Sequence, residues 1–475
     1  MRTPIPHHAG KIALAAVLCA GAALAAPTTA EAQIHFETDY SNLHRHTLDN
    51  GLDVLIVEDH NLPIVTIEMA ARNGAFTQEP DFSGLAHLYE HMFFKANAVY
   101  PNQEAYMARQ QELGMSWNGT TSTERVNYFF TLPSELAEEG TEFMAAALLT
   151  PQFDQQELER EQEVVLGEYD RSEASPWWHL HDATDQLLWF QYPDRKDPLG
   201  DRDAIANSTV AQMKWMQETY YVPNNSLLIY AGDITEADAL ALAEKHFGAW
   251  ERAEDPHATY PVPEHPPLTA DVARVVTQPV NISAIQMSWQ GPNTRESVQD
   301  TYAADIFSYI LSQGTSELQR QLVDSGLALS AGVSYHTQRY GGPISFTVIA
   351  QPGREDEVIA AMQREIERFA DPDYFTDQQL ATAKTIVAVQ DLTTQQSTLD
   401  LAHTLSFWWC SADVDYYTHY VENLEAVSRE DIQRFVQQWI TGKPRATVLL
   451  TNEDTAHGWD DARINQRIHA TETQP

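Results

Sequence analysis

A weak internal repeat restricts the fold of this chain more than any other sequence feature. The stretch FDQQELEREQEVVLGEY at residues 153–169 aligns with FTDQQLATAKTIVAVQD at residues 375–391 after a shift of 222 residues. Apolar residues coincide in this alignment, since Leu158 meets Leu380 and Val165 meets Val387. A chain of 475 residues is also too long for one ordinary core. The repeat therefore predicts two related units.

Each unit is predicted to contain both strands and helices. In the first unit, apolar alternation between turn residues predicts strands within 46–59, 63–74, 116–133 and 224–234. Helical spacing predicts helices at 84–94, 102–113, 134–150, 154–172 and 236–250, with Ser134 as the N-cap of the third. The sequence thus predicts an α+β fold.

A proline-rich segment separates the two units. Residues 254–271 contain five prolines and show neither helical nor strand periodicity, which is typical of a linker. We therefore predict an N-terminal domain at residues 33–253, a linker at residues 254–271 and a C-terminal domain at residues 272–475.

The N-terminus resembles a secretory signal peptide. Arg2 and Lys11 precede the apolar run IALAAVLCAGAALAA, and Ala30-Glu31-Ala32 supplies a small-residue cleavage motif. The predicted signal covers residues 1–32, with cleavage after Ala25 as an alternative. No later apolar run reaches the roughly 18 to 20 residues that span a bilayer. We expect an exported protein, periplasmic or secreted, without a membrane span.

The net charge limits the classes of binding partner, and the cysteine content limits disulfide formation. The formal net charge of −39 argues against nucleic-acid binding, which needs basic patches. Two interpretations of the acidity stay open: a solvated surface suited to salty surroundings, or an acidic chamber that attracts basic peptides. Removal of the signal leaves Cys410 as the one cysteine, so no intrachain disulfide is expected.

The stretch HLYEH at residues 87–91 is a candidate metal motif. Residues four apart share one face of a helix, so His87 and His91 can aim at one zinc ion. Glu90 lies beside them as a candidate base that takes a proton from water. Two histidines on an ordinary helix remain the alternative. The apolar neighbours predict burial of this helix, where such polar groups are costly without a partner such as a metal.

Taken with its flanks, the sequence resembles the pitrilysin-type zinc peptidases, which include insulin-degrading enzyme and mitochondrial processing peptidase. The resemblance covers nearly the whole mature chain, including TLDNGLDVLIVED, GLAHLYEHMFFKANAVYPN, ELGMSWNGTTSTERVNYFFTLP and EREQEVVLGEYDR. It implies two homologous αβ domains, each a mainly antiparallel sheet with packed helices. It also implies one zinc ion held by His87, His91 and Glu168, with Glu161 supporting the site and Glu90 as catalytic base.

The resemblance further implies how a substrate binds and where this chain departs from the family. A peptide would add a strand beside WNGTTSTERVNYFF, with Asn118, Gly119 and Thr120 as candidate contacts. Active members also carry an arginine and a tyrosine around a GLAYS stretch, which stabilise the oxyanion. The corresponding positions here hold Leu322 and Leu329, which cannot donate hydrogen bonds.

We therefore expect an exported zinc endopeptidase subunit that works with a related partner chain in a heterodimer. The partner would supply the arginine and tyrosine, unless Arg320, or Arg339 with Tyr340, takes their place through a change of register. Two alternatives stay open: a non-catalytic structural subunit of the same fold, and a homodimeric peptidase that is active alone. The second unit has no counterpart of HLYEH, so we expect its domain to lack a metal site.

Overall fold

Two mixed β-sheets form the framework of the protein. The structure is a computed structural model that describes residues 39–469; the predicted signal peptide lies outside these residues. The first sheet has the strand order β1-β2-β6-β3-β5-β4. Its strands are β1 (Leu43–Thr47), β2 (Asp53–Glu58), β3 (Ile64–Ala71), β4 (Ser116–Thr121), β5 (Val126–Pro133) and β6 (Ser226–Gly232).

The second sheet repeats the topology of the first without its outermost strand. Its order is β7-β11-β8-β10-β9, with β7 and β11 parallel and the other pairs antiparallel, as in the series β2-β6-β3-β5-β4. Its strands are β7 (Val272–Thr277), β8 (Ser283–Gln290), β9 (Ser330–Tyr335), β10 (Pro343–Ala350) and β11 (Ala446–Thr451). The two sheets confirm the predicted fold class of two homologous αβ units.

Helices cover both sheets. Those of the first half are α1 (Leu85–Phe93), α2 (Gln103–Glu112), α3 (Ala137–Leu149), α4 (Gln155–Glu173), α5 (Pro176–Leu188), α6 (Arg202–Ala206), α7 (Val210–Tyr220) and α8 (Glu236–Phe247). Then follow α9 (Pro256–Thr259), α10 (Val298–Ser312), α11 (Glu317–Gln319), α12 (Glu355–Arg368), α13 (Asp377–Thr394), α14 (Thr398–Ser411), α15 (Val414–Thr418), α16 (Tyr420–Ala426), α17 (Arg429–Trp439), α18 (Glu453–Ala456) and α19 (Asp461–His469).

Most predicted elements agree with these bounds, and two details differ. Ser134 does not cap α3; it begins a short 3-10 turn before α3, and its hydroxyl donates to Asp233. The predicted linker contains the short helix α9, capped by Asp255. A proline at the first position suits a helix start, because the missing N–H has no helical partner there. The predicted domain boundaries stay predictions, since the described residues belong to one compact unit.

The internal repeat is visible in the helices. A shift of 222 residues carries the first residue of α4 onto the first residue of α13, and the first residue of α5 onto that of α14. The two helix pairs therefore hold equivalent positions in the two halves.

Helices α5 and α14 are reciprocal, because each packs on the sheet of the other half. Leu405 and Trp409 of α14 pack on the first sheet, against Leu55 of β2 among others. Leu180 and Ala183 of α5 pack on the second sheet. Central strands of the first sheet are thus buried on both faces, which explains why residues 54–57 of β2 are an unbroken apolar run.

No helix within residues 39–469 is both long enough and apolar enough to cross a membrane.

Candidate metal centre

Helix α1 carries both histidines of the HLYEH motif into the interior. It begins after Gly84, whose φ of 85° lies in the left-handed region that favours glycine. Its apolar face, including Leu88 and Met92, is fully buried in the first core. The half-buried rings of His87 and His91 lie side by side, with centroids 4.9 Å apart. The burial of the helix thus fixes both imidazoles on one face.

Helix α4 brings a carboxylate to the two histidines. Glu168 Oε2 lies 3.5 Å from His87 Nε2 and 3.8 Å from His91 Nε2. Donor atoms of the three residues all lie within 4.8 Å of one another, and no other such group of potential metal donors occurs in the described residues. Two imidazole nitrogens and one carboxylate oxygen are a donor set of zinc hydrolases, with one position left for water. The residues fit a zinc ion.

Glu161 and Lys95 lie behind His91. Glu161 accepts a hydrogen bond from His91 Nδ1 at 3.1 Å and pairs with Lys95 Nζ at 2.6 Å. Burial alone would raise the pKa of Glu161, but the hydrogen bonds from His91 and Lys95 outweigh it and lower the pKa. The bond to Nδ1 leaves Nε2 of His91 as the metal-facing nitrogen. Sequence reasoning missed Lys95, although it follows His91 by one helical turn.

Glu90 lies next to the three donors and is 8% exposed. Burial raises its pKa to about 7, while the charge of His91 and a hydrogen bond from Thr121 act in the opposite direction. Thr121 Oγ1 donates to Glu90 Oε2 at 2.7 Å. A carboxyl group with a pKa near neutrality can both accept and release a proton during a reaction.

Strand β4, the predicted substrate strand, runs along the edge of the first sheet. Within the described residues it pairs only with β5, so its outer backbone edge has no strand partner. Asn118 is exposed, Gly119 is buried against Glu90, and the hydroxyl of Thr120 donates to Asn127. The three residues predicted to contact substrate thus have different surroundings. Their role in substrate binding stays a prediction.

The positions expected for the arginine and tyrosine lie in the second half. Leu322 is fully buried in the second core, whereas Leu329 is 53% exposed. The two register alternatives have other contacts: Arg320 pairs with Glu317, and the Arg339 side chain donates to the carbonyl of Ala412.

Tyr340 was proposed together with Arg339 as a replacement for the missing tyrosine, and it also contacts other residues of this chain. Its ring stacks on Phe76, and its backbone N–H donates to the buried carboxylate of Glu124. Arg320, Arg339 and Tyr340 therefore all make contacts within this chain.

Comparison with known families decides the relationship. The family model described as Insulinase (Peptidase family M16) matches residues 53–191, and the model described as Peptidase M16 inactive domain matches residues 208–387. This chain belongs to the M16 peptidase family. The first M16 model covers the HLYEH motif and Glu168, and the second covers much of the half in which Leu322 and Leu329 lie.

Several M16 relatives are named zinc proteases. The chain is 23% identical to zinc protease PqqE of Helicobacter pylori over 429 residues, which are 89% of this chain and 96% of that protein. It is 26% identical to bovine insulin-degrading enzyme over 226 residues, or 46% of this chain, and spans only 22% of that enzyme.

Two solved protease structures have the same fold. A protease from Helicobacter pylori gives a TM-score of 0.76 at 21% identity, covering 86% of this chain and 99% of that one. The periplasmic protease PqqL from Escherichia coli gives 0.72 at 17% identity, covering 92% of this chain and 51% of that one. At these identities the likeness concerns the fold.

Proposed function

We propose that this protein is an exported zinc-dependent endopeptidase subunit. The observation that carries the proposal is the convergence of His87, His91 and Glu168 around one point with Glu90 beside them. His87, His91 and Glu168 would hold zinc, Glu161 would support His91, and Glu90 would be the base. The names of the M16 relatives support the same chemistry.

The residues have distinct tasks in the proposed reaction. A zinc ion at this centre would polarise the scissile carbonyl and make the attacking water more acidic. Glu90 takes the proton from that water and passes it to the leaving amine nitrogen as the C–N bond breaks. The products are a carboxylate and an amine, and no acyl-enzyme forms.

The substrate is proposed to lie along β4 as an added strand. Main-chain pairing gives affinity with little dependence on sequence, and the unpaired outer edge of β4 supports it. Asn118, Gly119 and Thr120 are the proposed contacts.

A related partner chain is proposed to complete the site. Leu322 and Leu329 cannot stabilise an oxyanion, so the arginine and tyrosine would come from the other chain of a heterodimer. The family model that matches residues 208–387 is described as an inactive domain, which supports the proposal that the arginine and tyrosine come from another chain. A homodimer that is active alone and a non-catalytic subunit are the competing proposals.

Export is proposed from the N-terminal sequence, and PqqL of Escherichia coli, which has the same fold, is described as a periplasmic protease.

Exchange of Glu90 for glutamine tests the catalytic role. We expect Glu90→Gln to retain about one zinc per chain and to lose peptide hydrolysis by at least ~100-fold, because glutamine cannot take a proton from water. Zinc is measured by elemental analysis and hydrolysis with a fluorogenic peptide, on the chain purified with its native partner. Glu112→Gln, on the exposed end of α2, is the control and should behave as wild type. Activity retained by Glu90→Gln would refute the mechanism.

The partner requirement is tested by comparing the lone chain with the co-purified complex. We expect the lone chain with zinc to hydrolyse the peptide slowly and the complex to restore the rate. Full activity of the lone chain would refute the heterodimer proposal. It would instead support a homodimeric peptidase that is active without a second kind of chain. A complex that binds zinc but does not hydrolyse any peptide would favour the non-catalytic subunit.

A further inference from the structure

Strand β4 contacts Glu90 at two points. Thr121 donates its hydroxyl hydrogen to Glu90 Oε2 at 2.7 Å. Two residues earlier on the same face, Gly119 lies so close that an added Cβ would be 2.9 Å from Glu90 Cγ and 3.0 Å from Oε1. Alternate residues of a strand point to the same side, so both contacts come from one face of β4.

These contacts distinguish the two oxygens of the Glu90 carboxylate. Oε2 is held by the Thr121 hydroxyl, while Oε1 lies against the bare Cα of Gly119. Thr121 is only partly buried and its backbone pairs with Val126 of β5, so the sheet fixes its position. A hydrogen bond to a carboxylate is stronger than one between neutral groups, and here it opposes rotation of the Glu90 side chain.

We propose that Thr121 is a positioning residue that orients the Glu90 carboxylate, leaving Oε1 as the oxygen that receives the proton. The inference rests on the proposed function, since it concerns the same base. Strand β4 then has two roles. Its outer edge aligns the substrate backbone, and its inner face aligns the Glu90 carboxylate. The geometry of the base then depends on the same strand that sets the substrate register.

Valine and serine substitutions at Thr121 distinguish the effect of the hydroxyl group from the effect of the side-chain shape. Thr121→Val keeps the branched shape and removes the donor, whereas Thr121→Ser keeps the donor. We expect Thr121→Val to lower kcat about 10- to 100-fold, as misplacement of a catalytic group does, with KM and zinc content within about twofold of wild type. Thr121→Ser should restore most of kcat.

Thr347→Val is the matched control. It removes a hydrogen-bonded strand hydroxyl from β10 of the second sheet, and activity should not change. The proposal is overturned if Thr121→Val keeps the wild-type kcat, or if Thr121→Ser is as impaired as Thr121→Val. The second result would mean that packing and not the hydroxyl matters.

A second measurement does not depend on catalysis. In the metal-free protein, Thr121→Val is made in the wild-type background and in Glu90→Ala, and denaturation midpoints are compared. We expect a larger downward shift in the wild-type background, because only there is a hydrogen bond lost. Equal shifts would disprove the coupling. An inactive wild type with clear coupling would instead count against the proposed function alone.

Discussion

Gly119 is the position at which a single methyl group should have the largest effect on the proposed reaction. Its φ lies outside the left-handed region, so alanine fits the backbone, and the three atoms nearest to an added Cβ belong to Glu90 and Phe94. The Glu90 side chain would have to move to make room, away from the position in which Thr121 holds it. Glycine is therefore needed here for the space beside the base and not for backbone conformation.

We predict that Gly119→Ala lowers kcat about 10-fold or more, while the free energy of unfolding stays within ~1 kcal/mol of wild type. Peptide hydrolysis and urea denaturation measure the two quantities. Gly332→Ala is the matched control, since Gly332 lies on the edge strand of the second sheet with no atoms within 4 Å of an added Cβ. Equal activity of the two variants would contradict the prediction.

Lys95 is the second residue whose role depends on one contact. Its ammonium neutralises Glu161 in a mostly buried pair, and Glu161 in turn holds His91. Loss of one partner leaves a buried charge without compensation, which is far more costly than loss of an exposed pair.

We predict that Lys95→Met weakens zinc binding about 10- to 100-fold, as loss of supporting partners does at other metal sites, and that Lys95→Arg is milder. Competition with a chromogenic chelator measures the affinity. Lys245→Met removes an exposed pair with Glu138 and should leave zinc affinity unchanged. Unaltered affinity in Lys95→Met would show that Glu161 needs no neutralisation.

At the scale of elements, the two halves differ in what their equivalent helices bring together. Helices α1 and α4 bring together His87, His91 and Glu168. Helices α10 and α13 bring together Tyr309 and Gln390, whose hydroxyl and amide oxygen are 2.5 Å apart. The shift of 222 residues carries Glu168 onto Gln390. A neutral hydrogen bond thus stands in the second half where a carboxylate faces histidines in the first.

We predict a stoichiometry of one zinc per chain, and we expect Gln390→Glu to leave it at one. The new carboxylate would face a tyrosine hydroxyl and not two imidazoles, so the donor set stays incomplete. Native mass spectrometry of the zinc-loaded protein measures the stoichiometry. A second tightly bound zinc in the variant would show that donors from elsewhere complete the site.

Elements near in sequence were predictable, and contacts between distant elements were not. Helix α4 was predicted at residues 154–172 and spans Gln155–Glu173, and helical periodicity predicted that His87 and His91 share one face. The prediction that Ser134 is the N-cap of α3 was wrong, because the hydroxyl of Ser134 donates to the distant Asp233. The contact of Thr121 with Glu90 was missed for a similar reason: 31 residues separate them, and only the packing of β4 against α1 joins them.

At the scale of the whole molecule, a buried charge cluster joins the halves. Glu68 of β3 is fully buried and accepts hydrogen bonds from Ser406 and Asn127, and its Oε2 lies 2.6 Å from His403 Nδ1. Burial alone would raise the pKa of Glu68, but the charges of His403 and Arg125 outweigh it and lower the pKa. His403 and Ser406 belong to α14, so the reciprocal helix is held by charge as well as by apolar packing.

This cluster predicts a loss of stability in acid. A carboxyl whose folded pKa lies below its ordinary value of 4.5 stabilises the fold above that value, and the contribution is lost as pH falls through the folded pKa. We expect the free energy of unfolding to fall with pH below about 4.5, and less steeply in Glu68→Gln, which should be less stable at neutral pH. Urea titrations across this range test it, with Glu112→Gln as exposed control. Identical slopes in wild type and Glu68→Gln would exclude Glu68 as the cause.

The reciprocal helices also bear on the origin of the chain. A single half on its own would present the apolar outer face of its sheet to water, and its projecting helix would have nothing to cover. Two copies of one ancestral half, each lending its helix to the other, would have no such defect. The present chain has the form of such a dimer joined end to end by gene fusion. In such a pair one half can carry the metal donors while the other half covers its sheet, and the donor group found among the described residues lies in the first half.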